Sequence, residues 1–174
     1  MATHPLSMYA TNTKTSLADD SRQCATKILN RVLADEFALS TATRDYHWKV
    51  TGAQQRSLYE LFDEQYHEMD RLMETIVERS RALGLEIHTA WPELTHNPNL
   101  SPEPGAKLNP DSMLQNLAEL HRKLALQINE SLTVSAAVAA PLSFTSLLND
   151  LIEYHETTSW VLGELLEDRE LAQA

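Results

Sequence analysis

The sequence predicts an all-α fold. It is a four-helix bundle whose second and third long helices are joined by a long crossover containing a short helix. Three observations predict this. Apolar residues recur at helical spacing in four long segments. Only 4 Gly occur in 174 residues, which argues against an all-β fold. Pro92, Pro98, Pro102 and Pro104 crowd one internal stretch, too Pro-rich for a long helix.

In chain order, residues 1–16 are expected to form a mobile polar tail, and 17–170 a single domain. Ser16 with Asp19 and Asp20 reads as a helix start, because acids in a first turn favour the helix dipole. The first helix then runs to about Val50. Cys24, Ile28, Val32, Leu39 and Tyr46 are spaced for its buried face, with Thr41, Thr43, Arg44 and Asp45 outward. After a corner at Thr51-Gly52, the second helix covers about 55–83 and stops at Gly84, a good C-terminal cap. The crossover, 85–109, has room for a short helix near Trp91-Pro92-Glu93-Leu94. Its His88 and His96 read as surface residues.

The third long helix opens at Asn109-Pro110-Asp111, a cap residue followed by Pro at the first helical position. Leu114, Leu117, Leu120, Leu124 and Ile128 form its apolar stripe. His121 is expected at the surface or an edge, and the helix is expected to fray within 131–140. The fourth helix covers about 145–168. On it Leu148, Leu151, Ile152, His155, Val161, Leu162 and Leu165 fit a bundle face, with His155 a hydrogen-bonded packing residue.

The second helix carries two stripes. At about 100° per residue, Leu58, Leu61, Phe62, Met69, Leu72, Met73, Ile76 and Leu83 share one face. Asp63, His67, Asp70, Glu74 and Glu78 fall about 150° away. A solvated acidic face is the bland reading. Two details favour a cation site. No Lys or Arg interrupts the stripe, and His47 lies just before the corner. Carboxylates plus imidazole on facing helices suit a non-haem iron or manganese ion. The stripe points away from the subunit's own core, so a second chain would complete the site. An antiparallel two-fold pairing would bring Asp63 of one copy to Glu74 and Glu78 of the other, with His67 and Asp70 near the axis.

The same segment, from His47-Trp48-x-Val50-x-Gly52 through Phe62-Asp63-Glu64-Gln65-Tyr66 to Glu78-Arg79, resembles the signature of the Dps family, dodecameric mini-ferritins that oxidise and store iron and often bind DNA. The matching residues are His47-Trp48-x-Val50-x-Gly52, Leu58, Phe62-Asp63-Glu64-Gln65-Tyr66, Glu78-Arg79 and Arg81-Ala82-Leu83-Gly84. They continue at His155-Glu156-x-Thr158-x-Trp160-Val161-Leu162. The resemblance implies a ferritin-like four-helix bundle and an intersubunit ferroxidase site. It puts the first His ligand on His47 and a carboxylate on Asp63. The neighbour's acidic pair falls on Glu74 and Glu78, with Glu74 where an Asp is usual. His47, Asp63 and Glu78 would carry the catalysis. The family's second His falls on Tyr59, a poor neutral ligand. His67, one turn beyond Asp63, is the alternative source of that imidazole; its other reading is a polar residue lining the two-fold interface. By the same analogy Trp48 is either an interface contact or an oxidisable ring near the iron. The acids usual near the start of the fourth helix are absent: Pro141, Ser143, Thr145 and Ser146 stand there, and Asp150 is the first acid.

The formal net charge of −11 attracts cations and disfavours polyanions. The tail offers only Lys14 as a cation, so DNA binding is expected to be weak or absent. Cys24 is the lone cysteine, which excludes an internal disulfide and suits a reducing compartment. The N-terminal stretch lacks a signal-peptide pattern, and nothing is apolar enough to span a membrane. A cytoplasmic, or nucleoid-associated, location is expected. Three readings follow. The first is a homododecameric ferroxidase and iron store using hydrogen peroxide or dioxygen. The second is a structural or DNA-coating shell with an impaired site. The third is a shell whose site holds zinc or another divalent ion and oxidises iron slowly.

Overall fold

The computed structural model describes residues 19–50, 56–96, 98–100, 109–137 and 140–173. Its elements are α1 (Asp19–Lys49), α2 (Arg56–Ala82), α3 (Trp91–His96), α4 (Pro110–Ala137) and α5 (Leu142–Gln173). Among the described residues there is no strand. The expected tail at 1–16 and the corner at Thr51-Gly52 lie outside them.

The four long helices form the expected bundle with a long crossover, and α3 is its short helix. The main packings are α1 on α2 and α4 on α5. Contacts from α1 to α4 and from α2 to α5 join the two pairs, and α3 lies on α1. Leu29, Leu39, Phe62, Met69, Ile76, Leu114, Leu117, Leu124, Ile128 and Phe144 are fully buried between them. Each such side chain contributes roughly 1.5–3 kcal/mol by leaving water.

Local chemistry sets the ends. Gly84 has φ +67°. Its amide donates to the Arg81 carbonyl at 3.0 Å, and the Leu85 amide donates to the Ser80 carbonyl at 2.9 Å. This paired closure places a left-handed residue just past the helix, where a side chain would be strained. Leu85, buried beside it, anchors the exit. At the start of α4, Asn109 Oδ1 accepts from the Ser112 amide at 2.8 Å, which satisfies a free first-turn donor. Asp35 on α1 holds the crossover. Its Oδ1 accepts from the Asn99 amide at 2.5 Å and the Leu100 amide at 2.9 Å.

Several expectations need correction. Thr43, expected outward, is fully buried; its hydroxyl donates to the Leu39 carbonyl at 3.0 Å, which satisfies it internally. α4 ends at Ala137, within the stretch expected to fray, so that expectation stands. α5 starts at Leu142 rather than 145 and extends to Gln173. The Pro141 carbonyl accepts from Phe144 and Thr145 at 3.0 and 3.1 Å, opening the helix early.

His121 is not a surface residue: it is fully buried. Its Nδ1 lies 2.9 Å from His155 Nδ1. His155 Nε2 in turn lies 2.6 Å from Glu36 Oε1. This chain of groups ties α4, α5 and α1 together at full burial. Burial, and then the neighbouring His155, hold the His121 pKa well below the usual histidine value. Burial, and then the charge on Glu36, raise the Tyr154 phenol, whose ring lies against both imidazoles.

Candidate metal centre

His47 occupies the last turn of α1. It is 5% exposed, and neither ring nitrogen has a hydrogen-bond partner. Its Nε2 is 3.5 Å from Asp63 Oδ1 on α2, beyond good hydrogen-bond length. Native proteins rarely leave both nitrogens of a buried imidazole unpaired, and such atoms call for an explanation. A cation beside the half-buried Asp63 is one that the donor set fits.

Tyr66 holds the Asp63 side chain, and His67 bonds its main chain. The Tyr66 hydroxyl donates to its Oδ1 at 2.9 Å. His67 Nδ1 is 2.8 Å from the Asp63 carbonyl oxygen and 3.5 Å from its Oδ2. A carbonyl only accepts, so Nδ1 carries the hydrogen. In the neutral ring the lone pair is then on Nε2, away from this bond. Burial raises the Tyr66 pKa, as do its hydrogen bond to Asp63 and that carboxylate's charge, so Tyr66 stays a donor.

The rings form a continuous cluster. Tyr59 lies on His47 with centroids 4.0 Å apart. Tyr66 meets His47 edge-on at 5.4 Å and His67 at 4.2 Å. Tyr59 remains 46% exposed, and it shares a helix face with Asp63 four residues on. Arg44 sits 4.6 Å over the Tyr66 ring and reaches Asp70 Oδ2 at 2.6 Å. Ser40 donates to Asp70 Oδ1 at 3.0 Å. Asp70, one of the five stripe residues, is therefore already partnered within the chain.

Glu74 and Glu78 stand exposed farther along α2. With Leu33, Phe37, Met73, Val77 and Leu94 they border a groove of about 510 Å³. At the helical rise they lie about 16 and 22 Å along the axis from Asp63. One chain thus brings His47 and Asp63 together, with His67 and Tyr59 beside them, but not Glu74 or Glu78. Among the described residues, no three His, Cys, Asp or Glu side chains converge to hold a metal ion.

The sequence reading gave Tyr66 and Arg44 no part in the site. Tyr66 could have been found, since it follows Asp63 by three residues on a helix. Arg44 could not, because its partner Asp70 is on another helix. Trp48 is 70% exposed. The first turn of α5 holds no acid.

The Ferritin-like domain family model matches residues 26–172. An uncharacterized low temperature-induced protein of Nostoc sp. is 30% identical over 151 residues, covering 87% of this chain and 84% of its own. A DNA protection during starvation protein of Agrobacterium fabrum is 26% identical over 93% of this chain and 99% of its own. Among solved structures, DpsC from Streptomyces coelicolor superposes with a TM-score of 0.80 at 24% identity, over 87% of this chain and 88% of that one. A Dps protein from Vibrio cholerae, described as a ferritin-like diiron-carboxylate protein, gives 0.77 at 22% identity, over 84% and 91%.

Proposed function

The chain belongs to the Ferritin-like domain family, and on that premise we propose that it oxidises ferrous iron and stores the ferric product. In this reading the chain assembles as a hollow homododecamer, and each site is shared by two copies related by a two-fold axis. His47 and Asp63 supply one half, and Glu74 and Glu78 of a second copy supply the other. The observation that carries it is His47, buried with both nitrogens unpartnered and Asp63 3.5 Å away.

Each residue has a part. His47 offers imidazole, which favours iron or zinc, while the carboxylates offer hard oxygen donors. Their negative charge favours the ferric state over the ferrous. Tyr66 fixes the Asp63 carboxylate in place. Two ferrous ions give up one electron each; hydrogen peroxide takes both, with two protons, and leaves as two waters. Dioxygen is the alternative oxidant. Removing peroxide and ferrous iron together prevents hydroxyl-radical formation, which would protect the cell against oxidative stress.

A second reading is favoured by Tyr59, which packs on His47 where the resemblance expects another imidazole. There the site is impaired, or holds zinc, and the shell is structural or binds DNA. Metal analysis with peroxide-driven oxidation of ferrous iron separates the two. Saturable oxidation that His47→Ala abolishes supports the first. Tightly held zinc with no oxidation above the buffer rate rejects it.

A further inference from the structure

We propose that the cleft between α1 and the crossover binds a small phosphate-bearing ligand. The cleft has a volume of about 880 Å³, within the range of small-molecule sites. Lys27 and Arg31, one helical turn apart on α1, line one wall.

Among the described residues neither cation makes a close ion pair, although Asp35 acts on Arg31 at longer range. Among the described residues, the ion pairs of Lys and Arg involve Arg44, Lys49, Arg56, Arg71 and Arg169. In a chain where 25 acids face 14 Lys and Arg, two adjacent cations without a close ion pair among the described residues are unexpected. Asp35, a turn beyond Arg31, turns Oδ1 to the Asn99 and Leu100 amides and acts on Arg31 only through space. Glu93, the acid lining the cleft, stands 3.6 Å from His88 Nδ1.

The walls are fixed in advance. Asn30 Nδ2 donates to the Glu86 carbonyl at 3.0 Å, and its Oδ1 accepts from the His88 amide at 2.7 Å. Asp35 pins the far end of the crossover, and Lys123 Nζ donates to the Asn99 carbonyl at 3.3 Å. Bonds from α1 therefore hold the crossover at both ends of the cleft. Pro92, Leu94 and Pro98 add apolar surface to the crossover side, beside Glu93, His88 and Asn99.

Two cations with apolar surface in the same cleft suit an anion that carries an organic body. A phosphate monoester has close to two negative charges at neutral pH, matching the Lys27 and Arg31 pair; a carboxylate has one. Guanidinium binds phosphate oxygens through a planar fork, and ammonium adds a point charge. The site is independent of the iron reading.

The test is calorimetric titration of the full-length protein, dialysed free of metal, with AMP, adenosine and inorganic phosphate. AMP is expected to bind, and adenosine to bind about tenfold more weakly or worse, as loss of charged hydrogen bonds implies. The double variant K27Q/R31Q is expected to lose about tenfold or more in AMP affinity with the circular dichroism and thermal midpoint of the parent. Inorganic phosphate that displaces AMP identifies free phosphate as a sufficient ligand. If only AMP binds, the organic body is needed too. The proposal falls if neither AMP nor phosphate binds, if adenosine binds as tightly as AMP, or if the folded double variant binds like the parent.

Discussion

Glu36 and His155 meet at 2.6 Å with both side chains wholly withdrawn from solvent. Glu36 comes from α1 and His155 from α5, so the contact joins the two helix pairs of the bundle. Its neighbour His121 extends the network into α4. Removing one member strands another in an apolar interior. Glu36→Ala is expected to cost about 3–5 kcal/mol, as when one partner of a buried pair is lost. Glu36→Gln, which keeps an acceptor, should cost less. Urea unfolding followed by circular dichroism measures both, and equal losses would refute a specific hydrogen-bonding role.

The pH dependence follows from His121. Its folded pKa lies well below the ordinary value, so the unfolded chain takes up a proton first as pH falls. The stability it contributes is complete above about pH 6.5 and declines as the pH drops from there toward the folded pKa. The urea midpoint should therefore fall between pH 7 and pH 5. His121→Gln should flatten that fall. A variant with the slope of the parent would assign the acid sensitivity elsewhere.

At His47, stability and chemistry should separate. A buried imidazole with no partner opposes folding. His47→Leu is expected to hold or raise the thermal midpoint while cutting peroxide-driven iron oxidation by about tenfold or more. Oxidation at the parent rate in a folded variant would remove His47 from the site.

Tyr59 offers a gain-of-function test. Tyr59→His adds a second imidazole next to the first, a better neutral ligand than a phenol. The initial rate of ferrous oxidation should rise, by about tenfold at most if ligand supply limits it. An unchanged rate with intact assembly would show that the phenol is no handicap.

Gly84→Ala should destabilise by about 1–2 kcal/mol, the cost of a side chain in the left-handed region. Space is not the reason, because among the described residues a methyl there would meet Arg22 Nη1 alone, at 3.9 Å. A change within 0.3 kcal/mol, about the scatter of surface substitutions, would contradict the backbone argument.

Much of the fold was legible because its signals are local. Asn109-Pro110 opens a helix and Gly84 ends one through groups within a few residues, and the stripe from Leu114 to Ile128 is periodic in itself. What escaped was pairing across helices. His121 could not be placed in the core without knowing that His155, 34 residues on, supplies its partner. Thr43 looked polar and therefore outward, yet its own helix satisfies the hydroxyl. For the site, helix phase put Asp63, His67, Glu74 and Glu78 on one stripe. The α1 side chains that meet this stripe, Arg44 on Asp70 and His47 beside Asp63, depend on how two helices sit together.

The contact of Arg44 with Asp70 has a consequence for assembly. In the two-fold arrangement proposed above, Asp70 lies close to the axis and would confront its own twin. Two bare carboxylates there would push the subunits apart. With a guanidinium already attached to each, the halves meet as neutral couples, and the repulsion that an acidic surface brings to self-association is relieved at its most crowded point.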